Sequence, residues 1–588
     1  MNWPLDLVPL PVAIPLAVAA AMLAVSHFLP TRLPDVLATL TALAVAAICT
    51  VLARQSQLHG VLTYWFGGWA PRPGVVLGIG FGVDPASAGF AAFIGLLFAA
   101  ILVFAWGYFD ETHAHFHVLM LLFLAAMVGF CLTRDLFNLF VWFEVMSVAA
   151  FALTAYQLEM PSLAGALNFT VTNSLASFMM LGGVGLVYAR AGVLDFQALG
   201  HAVARDGPDP VTTGAFCLLA AALMIKAAIL PFHFWLSDAH AVAPSPVSVI
   251  FSGAMVGLGL FALAKLAFQV FAGSAEVHAL THGLLMALGA ATAVVGGLMT
   301  RAQRHLKRML AFSTITHLGI MLTGLAALSA TGLAGLFAYL VGHGLVKGAL
   351  FMLVGVLLAE RASVDELGLY GLGRGLAPAG AAMALGGLLL GGAPWGVLDA
   401  GTRLVADAGS SAAGRWVAGA VVFGTALTGA TVLRATGRIF LGLGPEPDPE
   451  EAASPSQEEQ EKADRPLWLM LAPCLLLLAL ALTPGDLAKR FAAESVGPFA
   501  PVLAGSTAAL AHTGRATMLS WMSVALAVAV AAFDLGRAHL PRPLLAAVDA
   551  LSRPLFLVLG ELHSGLVGDY VVWIAVGLAC FSIYLAFG

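Results

Sequence analysis

Residues 210–240 read PVTTGAFCLLAAALMIKAAILPFHFWLSDAH, an apolar run that contains Lys226 and is interrupted by Pro231. A charged side chain at the centre of a bilayer costs roughly 2.5–3.5 kcal/mol on insertion scales. Proline has no N–H to donate, so a helix breaks or kinks near it and opens backbone groups to water. The stretch therefore predicts a broken transmembrane helix with a functional lysine. The alternative is a lysine that snorkels to the membrane surface.

Apolar segments of this length recur throughout the 588 residues, of which 60% are hydrophobic and only 10% charged. Soluble domains contain about 25% charged residues, and a helix needs about 20 apolar residues to cross a bilayer. The pattern predicts an all-α polytopic membrane protein with about 14–16 transmembrane helices. The predicted helix cores are 5–27, 33–53, 87–107, 116–132, 135–156, 163–189, 210–230, 246–270, 279–299, 307–326, 331–358, 378–396, 414–433, 467–483, 516–535 and 568–587.

Charge and proline content divide the chain into five segments. Ionisable residues at mid-membrane depth occur in both halves beside Pro- and Gly-rich breaks, as in transporters built from inverted repeats. We therefore predict two inverted five-helix repeats. The segments are N-terminal transmembrane helices with an extracytoplasmic hairpin (1–115), the first repeat (116–270), the second repeat (279–440), an acidic soluble loop (441–466), and C-terminal helices with a short amphipathic surface helix (467–588).

Three more ionisable residues lie deep in apolar stretches. Glu144 belongs to RDLFNLFVWFEVMSVAAFALTAY, and His343 and Lys347 belong to LFAYLVGHGLVKGALFMLVG. The i, i+4 spacing places His343 and Lys347 on one helix face, where an imidazole beside an amine can relay protons. The structural alternatives are a neutral Glu144 carboxyl bound to a neighbouring helix and glycines that serve close helix packing.

Further candidates lie in the second half of the chain. His317, in LAFSTITHLGIML, can relay protons or act only as an interhelical hydrogen-bond donor. Asp399 and Arg403, in GGAPWGVLDAGTRLV, can pair with each other structurally or end a polar path near the far side of the membrane. The predicted proton pathway comprises Glu144, Lys226, His317, His343, Lys347, Asp399 and Arg403.

Four motifs resemble the antiporter-like subunits of respiratory complex I, Mrp-type sodium/proton antiporters and group 4 membrane-bound hydrogenases. They are RDLFNLFVWFEVMS, IKAAILPFHFWLSDAHAVAPSPVS, LKRMLAFSTITHLGIM and HGLVKGALFMLVG. The ending GELHSGLVGDYVVWIAVG resembles the last span of the sixteen-helix members. The resemblance implies that both repeats are antiporter-like and that Glu144 tunes Lys226 as a movable ion pair. It also implies that His343 and Lys347 are the family's His-x-x-x-Lys.

The chain departs from this family in several places. Asn168 and Gly257 stand where many relatives carry a lysine, arginine or histidine. In the twelfth span, the family's two prolines, glycine-rich turn and lysine or glutamate become APWGVLDAGTR, so Arg403 is a candidate exit residue without a fixed alignment. The surface helix near 536–566 is far shorter than the long lateral helix of complex I. These departures leave open a partly degenerate channel.

The sequence predicts neither cofactor nor metal ligands. Its five cysteines are scattered singly, and the histidines of HAHFH (His113, His115 and His117) do not share a helix face. We therefore expect no redox chemistry in the chain itself. It would serve a redox-driven complex, NADH:quinone oxidoreductase-like or hydrogenase-like, whose iron–sulfur or hydrogenase arm belongs to partner subunits. No basic patch indicates nucleic acid.

The leading interpretation is a proton-translocating, or Na⁺/H⁺-exchanging, multi-pass subunit of a larger respiratory, hydrogenase or Mrp-type complex in the plasma membrane of a prokaryote. Its partners would be other membrane subunits, the lipid bilayer, and protons or Na⁺. Three alternatives stay open: a stand-alone secondary transporter, a structural membrane anchor, and the membrane subunit of an inorganic-carbon uptake complex.

Overall fold

The chain folds into a bundle of helices with one small β-hairpin in a computed structural model. The structure describes residues 5–28, 30, 32–72, 76, 78–109, 114–207, 209–408, 412–448, 466–503, 514–562 and 565–587. His113 and most of the predicted acidic loop, residues 449–465, lie outside the described residues. The all-α polytopic fold that the apolar segments predict is confirmed.

The helices follow the apolar runs. The first half contains α1 (Leu10–Ala24), α2 (Leu33–His59), α3 (Pro85–Tyr108), α4 (Ala114–Leu132), α5 (Leu136–Thr154), α6 (Met160–Ala191), α7 (Phe196–Asp206), α8 (Pro210–Lys226), α9 (Phe234–Val242), α10 (Ser245–Val270) and α11 (Ala275–Ala302). The second half contains α12 (Leu306–Ala326), α13 (Ala330–Arg361), α14 (Ala377–Leu390), α15 (Gly396–Ala408), α16 (Ala412–Thr436), α17 (Leu467–Ala481), α18 (Gly485–Phe499), α19 (Gly514–Leu535), α20 (Arg542–Leu562) and α21 (Val567–Phe587).

Length and hydropathy decide which helices can cross a membrane. Within the described residues twelve helices qualify, and the pair α17–α18, bent by 72°, is either a thirteenth, broken span or a re-entrant loop. Three shorter apolar helices are α8, α14 and most of α21. Each predicted helix core coincides with one of these elements.

A two-stranded hairpin lies between α2 and α3, where the sequence predicts a hairpin or loop. Strand β1 (Leu62–Trp65) pairs antiparallel with β2 (Gly80–Val83). The Gly- and Pro-rich run PRPGVVLGIGFGVDP (71–85), which predicts this hairpin or loop, includes only the second strand, because the aromatic LTYW run of β1 directly follows a long helix. The guanidinium of Arg134 lies 4.9 Å from the Trp65 ring centre, so the hairpin packs against the start of α5.

The centre of the bundle is formed by α10, α12 and α13. The most apolar part of α10 and of α12 is buried along its whole length, and that of α13 almost so. By contrast, α19 is largely exposed at the periphery. Polar side chains on α12 and α13 are therefore remote from lipid and need partners inside the protein.

The same contacts recur in the two halves of the chain. Arg134 binds Asp195 (2.6 Å), and Arg304 binds Asp365 (2.8 Å), each residue following its counterpart by 170 positions. Isolated β-bridges join the same loops, Asp135 with Asp195 and His305 with Asp365. The recurrence favours an internal repeat, and we call residues 116–270 the first unit and residues 279–440 the second unit. The inverted relation of the two units stays a prediction.

Helices α5 and α12 are each capped by the residue that follows this arginine. Asp135 accepts a hydrogen bond from the Asn138 N–H (2.8 Å), and His305 Nδ1 accepts one from the Arg308 N–H (3.4 Å). Burial, together with the cations of Arg308 and Lys307, lowers the pKa of His305 to about 3. The imidazole is therefore neutral and able to act as an N-cap acceptor.

Each unit contains a broken helix. In the first, α8 ends at Lys226, and α9 begins at Phe234 beyond Pro231. In the second, α14 ends at Leu390, and α15 begins at Gly396. Gly396 has φ +79°, and a Cβ there would lie 2.0 Å from the Ala481 carbonyl oxygen, so only glycine fits. We call residues 227–233 the first break and residues 391–395 the second break.

The C-terminal helices lie outside both units. Helix α19 packs on α15 and α16, whereas α21 packs on α6 and α8. Helix α20 joins α19 to α21, touches α11 and lies within the segment near 536–566 for which a surface helix is predicted. Its apolar side chains Leu557 and Val558 are more than half exposed.

Candidate ion-translocating site

Lys226 lies in the last turn of α8, directly before the first break, and its side chain is wholly buried. Its ammonium donates a hydrogen bond to Ser147 Oγ on α5 (2.9 Å) and lies 4.8 Å from the Phe143 ring centre. A buried ammonium needs such partners because it has left water. The side chain therefore does not snorkel to the surface of the chain.

Glu144 lies on α5, three residues before Ser147, and is half-buried. Its carboxylate accepts a hydrogen bond from Ser177 Oγ on α6. In the described part of the chain no ion pair joins Glu144 to Lys226, because each is bound to a serine instead. The movable ion pair of Glu144 and Lys226 that the family resemblance implies therefore stays a prediction.

His317 and His343 meet at the centre of the second unit. The two ring centres are 5.4 Å apart, and both side chains are buried. His317 Nδ1 lies 2.8 Å from Tyr339 Oη, and its Nε2 lies 3.2 Å from Thr428 Oγ1. Both ring nitrogens of His317 are thus hydrogen-bonded, and the hydroxyls can donate or accept according to its tautomer.

Lys347 lies one turn beyond His343 on α13 and is also wholly buried. Its ammonium donates to the Leu310 carbonyl (2.5 Å) and to Ser313 Oγ on α12. The ammonium lies 5.5 Å from the Phe351 ring centre, and another neighbour of that ring is the stacked imidazole of His240 (4.6 Å). The structure thus gathers His317, His343 and Lys347 into one cluster.

Asp399 and Arg403 stand apart from this cluster, on α15 beyond the second break. Their side chains form an ion pair with each other. Asp399 also accepts a hydrogen bond from Ser520 Oγ (2.7 Å), and Arg403 donates to Thr517 Oγ1 (3.3 Å), both on α19. The pair therefore joins α15 to α19, which agrees with a structural role. The role of Asp399 and Arg403 as a proton exit stays a prediction.

Two departures from the family pattern have local packing reasons. Gly257 lies on α10, and a Cβ there would approach Leu340 to 2.7 Å, so this chain has no room for a long cation without repacking. The Asn168 side chain donates to the Gly565 carbonyl (3.2 Å), which tethers α6 to the start of α21.

Sequence reasoning missed the hydroxyl partners of the ionisable groups. Ser147, Ser177, Tyr339 and Thr428 bind Lys226, Glu144 or His317, but hydroxyls occur in most of the spans and carry no special spacing. The available signal was the spacing in sequence between a hydroxyl residue and an ionisable residue, since Ser147 follows Glu144 by one helical turn.

His117 of the HAHFH tract lies on α4 and pairs with Asp35 on α2 (2.7 Å), with both side chains buried. This contact between the N-terminal helices explains a polar residue for which the sequence indicated no partner.

Comparisons with known proteins identify the family of the chain. The model of the transmembrane NADH:quinone oxidoreductase/Mrp antiporter family matches residues 133–428, which is just over half of the chain and covers most of both units. The chain belongs to this family. It is therefore an antiporter-like, multi-pass membrane subunit.

Two family members share about a third of their aligned residues with the chain. NADH-quinone oxidoreductase subunit N of Desulforudis audaxviator is 35% identical over 350 residues, which cover 58% of this chain and 68% of that protein. A Na⁺/H⁺ antiporter subunit of Bacillus subtilis is 29% identical over 374 residues, which cover 62% and 73%. A chain of the Mrp complex from Dietzia sp. DQ12-45-1b has the same fold, with a TM-score of 0.73 and 24% identity over 87% of this chain and all of that one.

Proposed function

We propose that the chain is a proton-translocating subunit of a multi-subunit complex in the plasma membrane of a prokaryote. The observation that carries the proposal is Lys226, a wholly buried lysine at a helix break whose ammonium is held by a neutral hydroxyl. An ammonium without a fixed counter-ion can lose its proton and regain it when a carboxylate approaches. Glu144 is the candidate carboxylate, on the helix that carries Ser147.

Glu144 and Lys226 would alternate between two arrangements. In the one that the side chains adopt here, Ser177 holds the carboxylate and Ser147 holds the amine. In the other, the two groups would pair directly, which favours the protonated lysine. Exchange between the arrangements would move one proton on and off Lys226 in each cycle.

The proton would continue from the first unit to Lys347 along buried polar groups. Ser252 on α10 and Thr314 on α12 share a hydrogen bond (2.6 Å) between the units, and Thr314 follows the Ser313 that binds Lys347. His240 lies on α9, close to Phe351. Water would bridge the remaining gaps, as it does between polar groups more than about 3.5 Å apart.

From Lys347 the path would reach His343 and His317 and then leave through α15. His343 and Lys347 lie on one face of α13, and His317 faces His343 from α12. Asp399 and Arg403 would form the exit only if their mutual pair opened, since each is bound to the other and to α19.

A Glu144→Gln substitution should lower proton flux at least about tenfold, because the neutral glutamine cannot form an ion pair with Lys226. Tenfold is the factor that one pKa unit represents. Flux would be measured with a pH-sensitive dye in liposomes that contain the purified complex. Glu159→Gln is the matched control, because Glu159 is an exposed N-cap of α6 and should leave flux unchanged. Normal flux in Glu144→Gln at normal assembly would remove the ion-pair mechanism.

The half-buried carboxylate of Glu144 lies on a face that another membrane subunit would cover. Around it Val141, Val148, Phe178 and Leu181 are between 37% and 71% exposed. A carboxylate beside lipid is costly, so a protein neighbour is the cheaper environment. The same face would then join the chain to its complex.

The combined substitution Phe178→Ala and Leu181→Ala should lower the yield of co-purified subunits at least roughly tenfold, since truncating an interface aromatic costs roughly 2 kcal/mol. The control is the combined substitution Leu40→Ala and Leu43→Ala at two exposed positions of α2, which should retain the co-purified subunits. Mass spectrometry of the wild type would identify the class of complex. Iron–sulfur subunits would indicate a redox-driven pump, small hydrophobic subunits an Mrp-type exchanger, and a solitary chain would contradict the proposal.

A further inference from the structure

The backbone of both helix breaks must be covered on the side that faces away from the bundle. Backbone that leaves a helix at membrane depth is tolerated only where protein surrounds it or water reaches it. Inside the bundle, the first break is satisfied in part, since the Leu230 N–H donates to Thr292 Oγ1 (3.1 Å) and Trp235 Nε1 donates to the Ile225 carbonyl (2.9 Å). The outer side of each break is covered by one of the C-terminal helices.

Helix α21 covers the first break through small and aromatic residues. A Cβ at Gly577 would lie 2.3 Å from the Phe232 ring and 3.0 Å from Pro231, so the helix backbone touches the break directly. Two helical turns before Gly577, the ring of Tyr570 stacks on the ring of Phe234, with the ring centres 5.4 Å apart. Tyr570 Oη also donates a hydrogen bond to the carboxylate of Asp238 on α9.

Helix α19 covers the second break in the same manner. A Cβ at Gly392 would lie 3.0 Å from Ser523 Cβ, and one at Gly391 would lie 3.2 Å from Ala527 Cβ. Ser520 Oγ donates to the carboxylate of Asp399 on α15 (2.7 Å). Each C-terminal helix thus gives one hydroxyl to the aspartate of the helix that follows a break.

The charges around the two aspartates also correspond. Asp238 lies 3.9 Å from the Arg308 guanidinium, and Asp399 pairs with Arg403. Asp238, Asp399, Ser520 and Tyr570 are all less than 9% exposed, so water does not compete strongly for these hydrogen bonds. Helix α20 connects the two covering helices and, with 21 residues, spans about 30 Å.

We infer that α19, α20 and α21 form a strap that holds both broken helices in place, with Ser520 and Tyr570 as its positioning residues. The strap fixes where α9 and α15 begin, and therefore where Lys226 and Asp399 stand at the breaks. Its effect on ion translocation rests on the proposed function, whereas its effect on the breaks does not. The strap lies within one chain and needs no neighbouring subunit.

Hydrogen–deuterium exchange of the purified full-length complex would test the strap. Tyr570→Phe keeps the stacked ring and removes only the hydroxyl, and exchange in 234–243 should accelerate at least about tenfold because a hydrogen bond to a carboxylate is lost. Exchange in 396–408 should not change. Ser520→Ala should accelerate exchange in 396–408 and leave exchange in 234–243 unchanged. Ser520→Thr, which restores a hydroxyl, should have wild-type exchange in both segments.

Two matched substitutions serve as controls. Tyr188→Phe removes an exposed tyrosine hydroxyl on α6, and Ser582→Ala removes an exposed serine hydroxyl on α21 itself, so neither should alter either segment. Unchanged exchange in both Tyr570→Phe and Ser520→Ala would overturn the strap, and so would equal acceleration at both breaks and throughout the bundle.

Proton flux of the same samples separates the strap from the proposed function. We expect Tyr570→Phe to lower flux several-fold together with faster exchange in 234–243, and Ser520→Thr to retain it. If flux does not depend on Lys226 at all, the proposed function fails while the exchange result still decides the strap. If flux depends on Lys226 and the exchange pattern is that of the wild type, only the strap fails.

Discussion

Replacing Lys226 with alanine is expected to lower proton flux through the reconstituted complex by at least about a hundredfold, the usual size of a lost proton-transfer group. Among the described residues, Lys226 is the lysine at the first break, and its ammonium has the Ser147 hydroxyl as its hydrogen-bond partner. Without it, the proton that Glu144 attracts has no buried amine to bind. No nearby described lysine can substitute, because Lys265 is held by the Cys131 and Thr133 carbonyls.

Lys226→Met is the necessary companion variant, because alanine also leaves a cavity. Methionine has a similar length, fills irregular apolar space and binds no proton. Both variants should lose flux, while the methionine variant should assemble with the stability of the wild type. Wild-type flux in a correctly assembled Lys226→Met complex would exclude the mechanism and favour a structural anchor.

Much of the fold could be predicted because a bilayer imposes long apolar segments. The run around Pro231 marked the first break, because proline interrupts helices wherever it occurs. The position of the second break was not predicted, since the predicted helix core 378–396 runs through residues 391–395. Lys226, His343 and Lys347 were recognisable from depth alone, since charge inside an apolar segment is costly.

Contacts between distant segments could not be predicted in this way. The serines that separate Glu144 from Lys226 look like any other hydroxyl in a span, and the cover that α19 and α21 provide depends on where a late part of the chain returns. One signal was present in the sequence and unused. The loops GVLDF at 192–196 and ASVDE at 362–366 share an aspartate at the spacing of 170 residues that also relates Arg134 to Arg304.

The corresponding loops also contain the contact with the largest expected effect on stability. Glu366 is wholly buried and receives Arg434 through two hydrogen bonds (2.9 and 2.7 Å), and Arg438 lies 3.0 Å away. Arg434 further donates to the Arg301 and Gln303 carbonyls (3.2 and 3.1 Å). These carbonyls correspond, 170 residues on, to those that Lys265 binds in the first unit. A buried cation therefore ties the last helix of each unit to the backbone just before α5 or α12.

Arg434→Ala is expected to lower the free energy of unfolding by about 3–5 kcal/mol, because a buried carboxylate loses its main partner and two carbonyls lose their donor. The measurement is unfolding of the purified protein in detergent, followed by intrinsic fluorescence. Arg190→Ala is the matched control, since Arg190 pairs with Asp209 near the surface (3.1 Å) and such pairs contribute about 1 kcal/mol or less. The double variant Arg434→Met, Glu366→Leu should recover much of the stability that Arg434→Ala loses, because the interior then contains no carboxylate without its arginine partner. If Arg434→Ala costs no more than Arg190→Ala, this buried ion pair does not stabilise the second unit.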